Sequence, residues 1–115
     1  IKNIFIPTEP VNGLDACFYA NAVLTGAGTF AREVACLGVP AVSFFAGDDL
    51  MAVDKQLIKD NRMFFSRQPN EIVDYLFKVN RTEPDIKRSI RVRDEVITKL
   101  SDVINLLIET KNKNL

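Results

Sequence analysis

The sequence predicts an α/β protein: a Rossmann-like three-layer domain with a short parallel sheet, followed by a long C-terminal helix. Short apolar runs alternate with helical segments, and residues 21–45 (NAVLTGAGTFAREVACLGVPAVSFF) contain a strand, a turn, a helix and a strand in succession. Apolar residues also recur at helical spacing from residue 85 to about residue 111. We therefore expect four short strands in residues 1–84 and one helix in residues 85–112 that packs on them.

Proline, glycine and apolar runs set the expected elements. In chain order we expect a strand at 3–6, a helical turn at 14–19, a strand at 22–25, a helix at 30–37, a strand at 39–45, a helix at 51–60, a strand at 63–65, a helix from 68 to about 79 and a helix from 85 to about 111. Pro7 ends the first strand, and Gly38 with Pro40 just beyond it is the usual end of a helix. The nearly all-apolar run that ends at Phe45 is typical of a parallel strand covered on both faces.

Charge and composition narrow the classes of function. The 115 residues include 15 Lys+Arg and 15 Asp+Glu, so the net charge of zero gives no general argument for nucleic-acid or membrane binding. No apolar run reaches about 18 residues, so we expect no transmembrane segment, and no signal-peptide layout is present. The chain opens with Ile1 rather than Met, and we interpret it as a fragment of a larger two-domain protein. Cys17 and Cys36 match no metal-ligand spacing and favour a reduced, cytoplasmic setting.

Catalytic and metal-ligating groups are few. The chain has no histidine, which removes the commonest general base and metal ligand. We therefore expect no complete active site in these residues and assign no catalytic residue. Asp48, Asp49 and Asp54 match no strong metal motif, and we interpret them as a solvated loop and helix start. No metal and no cofactor are expected.

The Gly-rich turn is the strongest candidate for a binding site. Gly26 and Gly28 permit a positive φ and let a ligand approach the backbone closely. Thr29 can cap the following helix or donate its hydroxyl to a phosphate oxygen. N–H groups at the start of that helix can hold an anion, because the first turn leaves donors unsatisfied and the dipole is positive there. The alternative is a tight turn with a threonine cap and no ligand.

Glu33 is the candidate for recognising a ribose. A capping box that starts at Thr29 would need an acid at position 32, which is Arg32. Glu33 lies one helical turn beyond Thr29, where a carboxylate can accept hydrogen bonds from two neighbouring ribose hydroxyls. The alternative is a solvent-facing acid that the helix dipole favours.

Residues 13–40 (GLDACFYANAVLTGAGTFAREVACLGVP) resemble the C-terminal domain of an uncharacterised prokaryotic family related to GT-B glycosyltransferases. They also resemble UDP-N-acetylglucosamine 2-epimerases and the peptidoglycan N-acetylglucosaminyltransferase. The resemblance implies the donor-binding, C-terminal half of a GT-B fold. It implies that Gly26, Ala27, Gly28 and Thr29 hold the diphosphate of a nucleotide sugar, in the first place a UDP-sugar, and that Glu33 binds its ribose.

The same resemblance implies that the parent protein is a glycosyltransferase or a sugar epimerase-like enzyme. Its N-terminal domain, which closes the cleft, is a further partner that this chain lacks. Two positions depart from the uncharacterised family: Ala27 replaces a glycine, which narrows the turn, and Phe30 replaces a methionine. The sugar, the acceptor and the catalytic base are not assigned.

Two other functions fit the sequence. The first is an NAD-type dinucleotide-binding domain, because Gly26-X-Gly28-X-X-Ala31 matches that fingerprint and Asp48 or Asp49 follows about 20 residues later. The second is a non-catalytic interaction domain that uses the long last helix. Its apolar stripe is too long for four short strands to cover, so a homodimer is expected. The stripe is made of Ile90, Ile97, Leu100, Ile104 and Leu107.

Overall fold

A computed structural model describes residues 2–115 and confirms the α/β class, the parallel sheet and the long C-terminal helix. The chain divides into two compact units, one that runs to Pro84 and one of Asp85–Leu115. The elements of the first unit are α1 (Gly13–Phe18), β1 (Val23–Thr25), α2 (Gly28–Cys36), β2 (Ala41–Ser43), α3 (Ala52–Lys59), β3 (Met63–Phe65) and α4 (Pro69–Lys78). The second unit is α5 (Ile86–Lys113).

Three parallel strands form the sheet in the order β1-β2-β3. Val23 pairs with Ala41, and Ala41 pairs with Met63. Because side chains alternate along a strand, these three residues share one face of the sheet, and their successors share the other. Each connection between parallel strands carries a helix, so the turns that enter α2, α3 and α4 all lie at the carboxyl edge of the sheet.

The core lies between one face of the sheet and helices α2 and α3. Ala31, Val34 and Ala35 recur at the three- and four-residue spacing that places them on one side of α2, and all three are buried. Burying a valine side chain such as that of Val34 contributes about 1.5–3 kcal/mol. The complete buried cluster is Cys17, Ala31, Val34, Ala35, Val39, Ala41, Leu57 and Met63.

The opposite face of the sheet is covered at β3. Phe64 lies on this face, and its ring stacks on the ring of Tyr75 from α4, with centroids 4.4 Å apart. Burial raises the pKa of the Tyr75 hydroxyl. Val42 of the central strand is fully buried, whereas Leu24 on the edge strand β1 is half exposed. Helices therefore pack on both faces, but the second face is covered unevenly.

A left-handed glycine ends α2 and connects it to a distant segment. Gly38 has φ +73°. Its carbonyl oxygen accepts hydrogen bonds from the backbone N–H and the hydroxyl of Thr82. A Cβ atom at this position would collide with the carbonyl oxygen of Thr82, so both the conformation and the space require glycine. Arg81 adds a hydrogen bond to the carbonyl of Ala20 and lies over the ring of Phe18.

The predicted first strand at 3–6 is wrong. Residues 4–7 have no regular secondary structure, and Ile4, Phe5 and Ile6 are exposed, Phe5 to 86%. The described sheet therefore has three strands, where four were expected. A short apolar run forms a strand only where a neighbouring strand supplies hydrogen bonds and another layer buries its side chains. Among the described residues nothing pairs with this run.

Other differences concern the ends of elements. β3 and its limits agree with the prediction, whereas β2 is limited to three residues because its neighbours β1 and β3 have only three each to pair. The helix predicted at 30–37 begins two residues earlier, at Gly28. This change matters for the site, because it moves the Gly-rich turn into the first turn of α2.

The second unit is a single amphipathic helix of 28 residues. Asp85 caps it, because its side chain accepts a hydrogen bond from the backbone N–H of Arg88 at 2.8 Å. None of its side chains is buried. Within the described part of the chain, no helix has the length and apolar character that crossing a membrane requires.

Candidate functional site

The Gly-rich turn joins β1 to α2 at the carboxyl edge of the sheet. β1 ends at Thr25, whose hydroxyl oxygen accepts a hydrogen bond from the backbone N–H of Ala27 at 3.0 Å. Ala27 is the N-cap of α2 and has an extended backbone, with φ −92° and ψ 114°. The next three N–H groups, of Gly28, Thr29 and Phe30, belong to the first turn and have no acceptor within the helix. The turn therefore presents a set of backbone donors beside the positive end of the helix dipole.

The glycines of the turn leave room for neighbouring side chains and do not adopt a special backbone angle. Neither Gly26 nor Gly28 has a positive φ. A Cβ atom at Gly26 would lie 3.0 Å from the ring of Phe44, which follows β2. A Cβ atom at Gly28 would lie 3.1 Å from Nη2 of Arg32. The side chains of Phe44 and Arg32 therefore lie close to the turn at Gly26 and Gly28.

Thr29 does not cap α2, so that part of the prediction is wrong. The cap position is held by Ala27, which has no side-chain acceptor, and Thr29 is the second residue of the helix. The side chain that bonds a turn N–H is that of Thr25, which the sequence analysis did not single out. Thr29 is exposed, so its hydroxyl is accessible to a ligand.

Glu33 lies four residues beyond Thr29, so both side chains are on the same exposed side of α2. The buried side of the helix is formed by Ala31, Val34 and Ala35. Glu33 therefore reaches solvent one helical turn from the Gly-rich turn, as the ribose-binding hypothesis requires. The alternative, a carboxylate that interacts only with the helix dipole, has the same position.

An ion pair between two helices was missed by the sequence analysis. Nε and Nη2 of Arg32 donate to the two carboxylate oxygens of Asp54 at 2.7 and 3.1 Å, and Nη2 also contacts Sδ of Met51 at 3.1 Å. Asp54 was interpreted as a solvated acid at a helix start, but it is only 4% exposed. Its carboxylate also accepts from the N–H of Met51 and so caps α3. The hydrogen bonds from Arg32 lower the pKa of Asp54, against the opposing effect of burial.

A polar cleft of about 510 Å³ opens at the carboxyl ends of β2 and β3. Arg67 fixes one wall, because its guanidinium donates to the carbonyl oxygens of Phe45 and Gly47 at 3.0 and 2.6 Å. The buried hydroxyl of Ser66 accepts from the N–H of Gln68 and donates to Glu71. The cleft is lined by Gly47, Asp48, Asp49, Leu50, Lys55, Phe65, Ser66, Arg67, Gln68 and Glu71.

The turn and the cleft open at the same edge of the sheet. The turn supplies uncharged backbone donors, and the cleft supplies acids, bases and an amide. Within residues 2–115, no three His, Cys, Asp or Glu side chains come together as a set that could hold a metal ion.

Comparisons with known proteins agree in pointing to an uncharacterised group. The family described as "Protein of unknown function (DUF354)" matches residues 1–111. An uncharacterized protein of Methanocaldococcus jannaschii is 34% identical over 74 residues, which are 64% of this chain and 21% of that protein. The match therefore spans about one fifth of the relative's length. No solved structure matches the chain.

The ion pair generates a prediction about acid stability. Asp54 has a lowered pKa in the folded state, so it stabilises the fold above the ordinary aspartate pKa of about 3.9 and loses this effect as the pH falls through the lowered value. We expect Asp54→Asn to cost roughly 1–3 kcal/mol of unfolding free energy at pH 7. The difference in unfolding free energy from wild type should shrink as the pH falls below about 3.9.

Urea unfolding of both proteins between neutral and acidic pH measures this difference. Asp102→Asn, on the exposed surface of α5, is the control, and its stability should follow wild type at every pH. A constant gap between Asp54→Asn and wild type across the pH range would contradict the charged role of Asp54.

Proposed function

We propose that this chain, which belongs to the DUF354 family of proteins of unknown function, binds the donor nucleotide sugar, a UDP-sugar, for a GT-B-type glycosyltransferase or sugar epimerase-like parent protein. The observation that carries the proposal is the Gly-rich turn at the carboxyl edge of a parallel sheet. It leads into α2, whose first N–H groups have no acceptor within the helix. The exposed side chains of Thr29 and Glu33 lie on the same side of α2. Ligands of open α/β sheets bind at this edge.

The diphosphate is proposed to lie against the first turn of α2. The N–H groups of Gly28, Thr29 and Phe30 can donate to its oxygens, and the positive end of the helix dipole favours its charge. Ala27 is exposed and has a short side chain, so it leaves the backbone of the turn open to the ligand. The hydroxyl of Thr29 can add one more hydrogen bond.

The ribose is proposed to bind Glu33. Thr29 and Glu33 are four residues apart, which corresponds to about 6 Å along the helix axis. A ribose is joined to its phosphate by a single methylene group, so a diphosphate at the turn leaves the ribose within reach of the carboxylate. The two hydroxyls of the ribose are donors, and a carboxylate offers two acceptor oxygens.

The sugar is proposed to extend towards the polar cleft at the ends of β2 and β3. Sugar hydroxyls act as donors and acceptors, and the cleft offers both kinds of group on Asp49, Lys55, Gln68 and Glu71. In the parent protein, the amides of the turn would stabilise the nucleoside diphosphate as its negative charge develops on leaving. The residues that act on the sugar itself are not assigned within this chain.

The NAD-type hypothesis also places a pyrophosphate at the N-terminus of α2. It differs in the acidic residue that binds the ribose. It requires Asp48 or Asp49 to bind the ribose, but both lie several residues beyond the end of β2, and the side chain of Asp49 is 95% exposed. Glu33 would then have no part in binding. We prefer the nucleotide sugar because Glu33 is exposed one helical turn from the Gly-rich turn.

A second candidate function is dimerisation through α5. Ile90, Ile97 and Ile104 recur every seven residues, and Leu100 and Leu107 follow three residues after the last two. Isoleucine and leucine at these two heptad positions favour a parallel pair of helices. All five side chains are at least 45% exposed, so this stripe is available to a second copy of the helix.

The first prediction concerns the class of ligand. UDP and UDP-N-acetylglucosamine should bind weakly to this chain and shift the amide resonances of Gly28 and Thr29, because the turn provides only part of the contacts of a full site. NADH should bind more weakly still. Titration followed by amide NMR measures all three. If only NADH shifts the resonances of Gly28 and Thr29, the nucleotide-sugar hypothesis is wrong and the dinucleotide hypothesis is supported.

The second prediction separates the two roles of Glu33. If Glu33 binds the ribose, Glu33→Gln should weaken UDP binding by about 1–3 kcal/mol and leave the unfolding free energy nearly unchanged. A carboxylate that serves only the helix dipole would instead change stability, by about 0.3–1 kcal/mol, with binding intact. Calorimetric titration and urea unfolding of the same variant distinguish these results.

The third prediction concerns association. The wild-type chain should form a dimer whose fraction rises with concentration, and Ile104→Lys should shift it towards monomer because a charge would enter the apolar stripe. Asp102→Lys introduces the same side chain on the opposite side of α5 and should leave the dimer intact. Sedimentation equilibrium measures both. A wild-type chain that stays monomeric at high concentration would remove the support for this function.

A further inference from the structure

We propose that Arg32 and Asp54 form a positioning pair that holds the Gly-rich turn in the geometry needed to bind a diphosphate. The proposal rests on the UDP-sugar function proposed above and adds two residues that do not themselves contact the ribose. Three features of the described residues support it: the bidentate bond, the contact with Gly28 and the dual role of Asp54.

The bidentate bond fixes the guanidinium of Arg32 in one orientation. Nε and Nη2 donate to the two oxygens of Asp54, and this parallel arrangement is more directional than a single contact with a lysine ammonium could be. The contact from Nη2 to the sulfur of Met51 defines the orientation further. Asp54 is almost fully buried and Arg32 is about three-quarters buried, so solvent competes little for these bonds.

The contact with Gly28 connects this pair to the turn. Arg32 lies one helical turn after Gly28, and its Nη2 comes so near that a Cβ atom there would be 3.1 Å away. The guanidinium therefore occupies the space that a side chain at the first residue of α2 would need. Its position limits how far that residue, and the N–H groups beside it, can move. Arg32 also places a positive group next to the proposed diphosphate, although Asp54 balances most of its charge.

Asp54 has a dual role, because it bonds Arg32 and also caps α3 through the N–H of Met51. One carboxylate therefore joins Arg32, in the middle of α2, to the start of α3. The starts of α2 and α3 flank the carboxyl edge of β1 and β2, where the ligand is proposed to bind. Loss of either partner should loosen this edge while the buried cluster under the sheet stays in place.

The test compares two arginines that both anchor α2. Arg32→Met removes the bond that Asp54 makes one turn after the start of the helix. Arg62→Met is the matched control, because Arg62 donates to the carbonyl oxygen of Ala35 near the other end. We expect Arg32→Met to weaken binding of UDP at least tenfold and to leave the much weaker binding of uridine, which has no phosphate, unchanged. Arg62→Met should bind both compounds as the wild type does.

Two further variants distinguish positioning from charge. Arg32→Lys keeps the positive charge but cannot make the bidentate bond, so it should behave like Arg32→Met. Full rescue of UDP binding by lysine would overturn the positioning role. Asp54→Asn removes the acceptor of the pair and should weaken UDP binding as much as Arg32→Met does. If Arg32→Met does not fold, Asp54→Asn takes its place in the comparison.

A measurement without ligand keeps this inference separate from the proposed function. Backbone ¹⁵N order parameters at residues 26–30 should fall in Arg32→Met, while those of Val34 and Ala35 stay at wild-type values. If the wild type binds no UDP but these order parameters fall, the proposed function is wrong and the pair still positions the turn. If Arg32→Met keeps wild-type UDP affinity and wild-type order parameters, the positioning role is wrong.

Discussion

Parallel pairing of three very short strands is the constraint on which the rest of this structure depends. Each strand has three residues, so the sheet offers few hydrogen bonds of its own, and the helix in each connection must bury what the strands expose. Helix α2 does most of this work, because it packs against all three strands and against α1 and α3. The same pairing brings the turns before α2, α3 and α4 to one edge. The topology thus places these three turns side by side.

Patterns within one element were predicted well. The end of α2 at Gly38 follows from a Gly-X-Pro sequence, and the structure adds the reason for glycine, a φ of +73° beside Thr82. The limits of β3 and the long amphipathic helix also agree with the sequence. In each case the signal lies in consecutive residues, whose local conformational preferences and spacing are visible without knowledge of their neighbours in space.

Contacts between elements could not be predicted in the same way. Arg32 and Asp54 are 22 residues apart, and nothing in their spacing marks them as partners until α2 and α3 are placed side by side. The prediction of a strand that includes Ile4 and Ile6 was wrong for the same reason. A strand needs a neighbouring strand to pair with, and the sequence of the run itself does not show whether one is present. Thr29 was misplaced because the helix starts at Gly28, and helix ends are set by such small local differences.

Side chains bond backbone groups at both edges of the sheet, and at the carboxyl edge Arg67 bonds the carbonyls of Phe45 and Gly47. At the amino edge, Thr82 and Arg81 bond the carbonyls of Gly38 and Ala20, and Arg62 bonds that of Ala35. At the carboxyl edge, Thr25 satisfies one N–H of the Gly-rich turn, while the next three have no acceptor within the helix. Buried or partly buried donors normally find partners. Donors without an acceptor in the helix can bond an acceptor from outside the chain, and a phosphate with several oxygens is the acceptor that we propose.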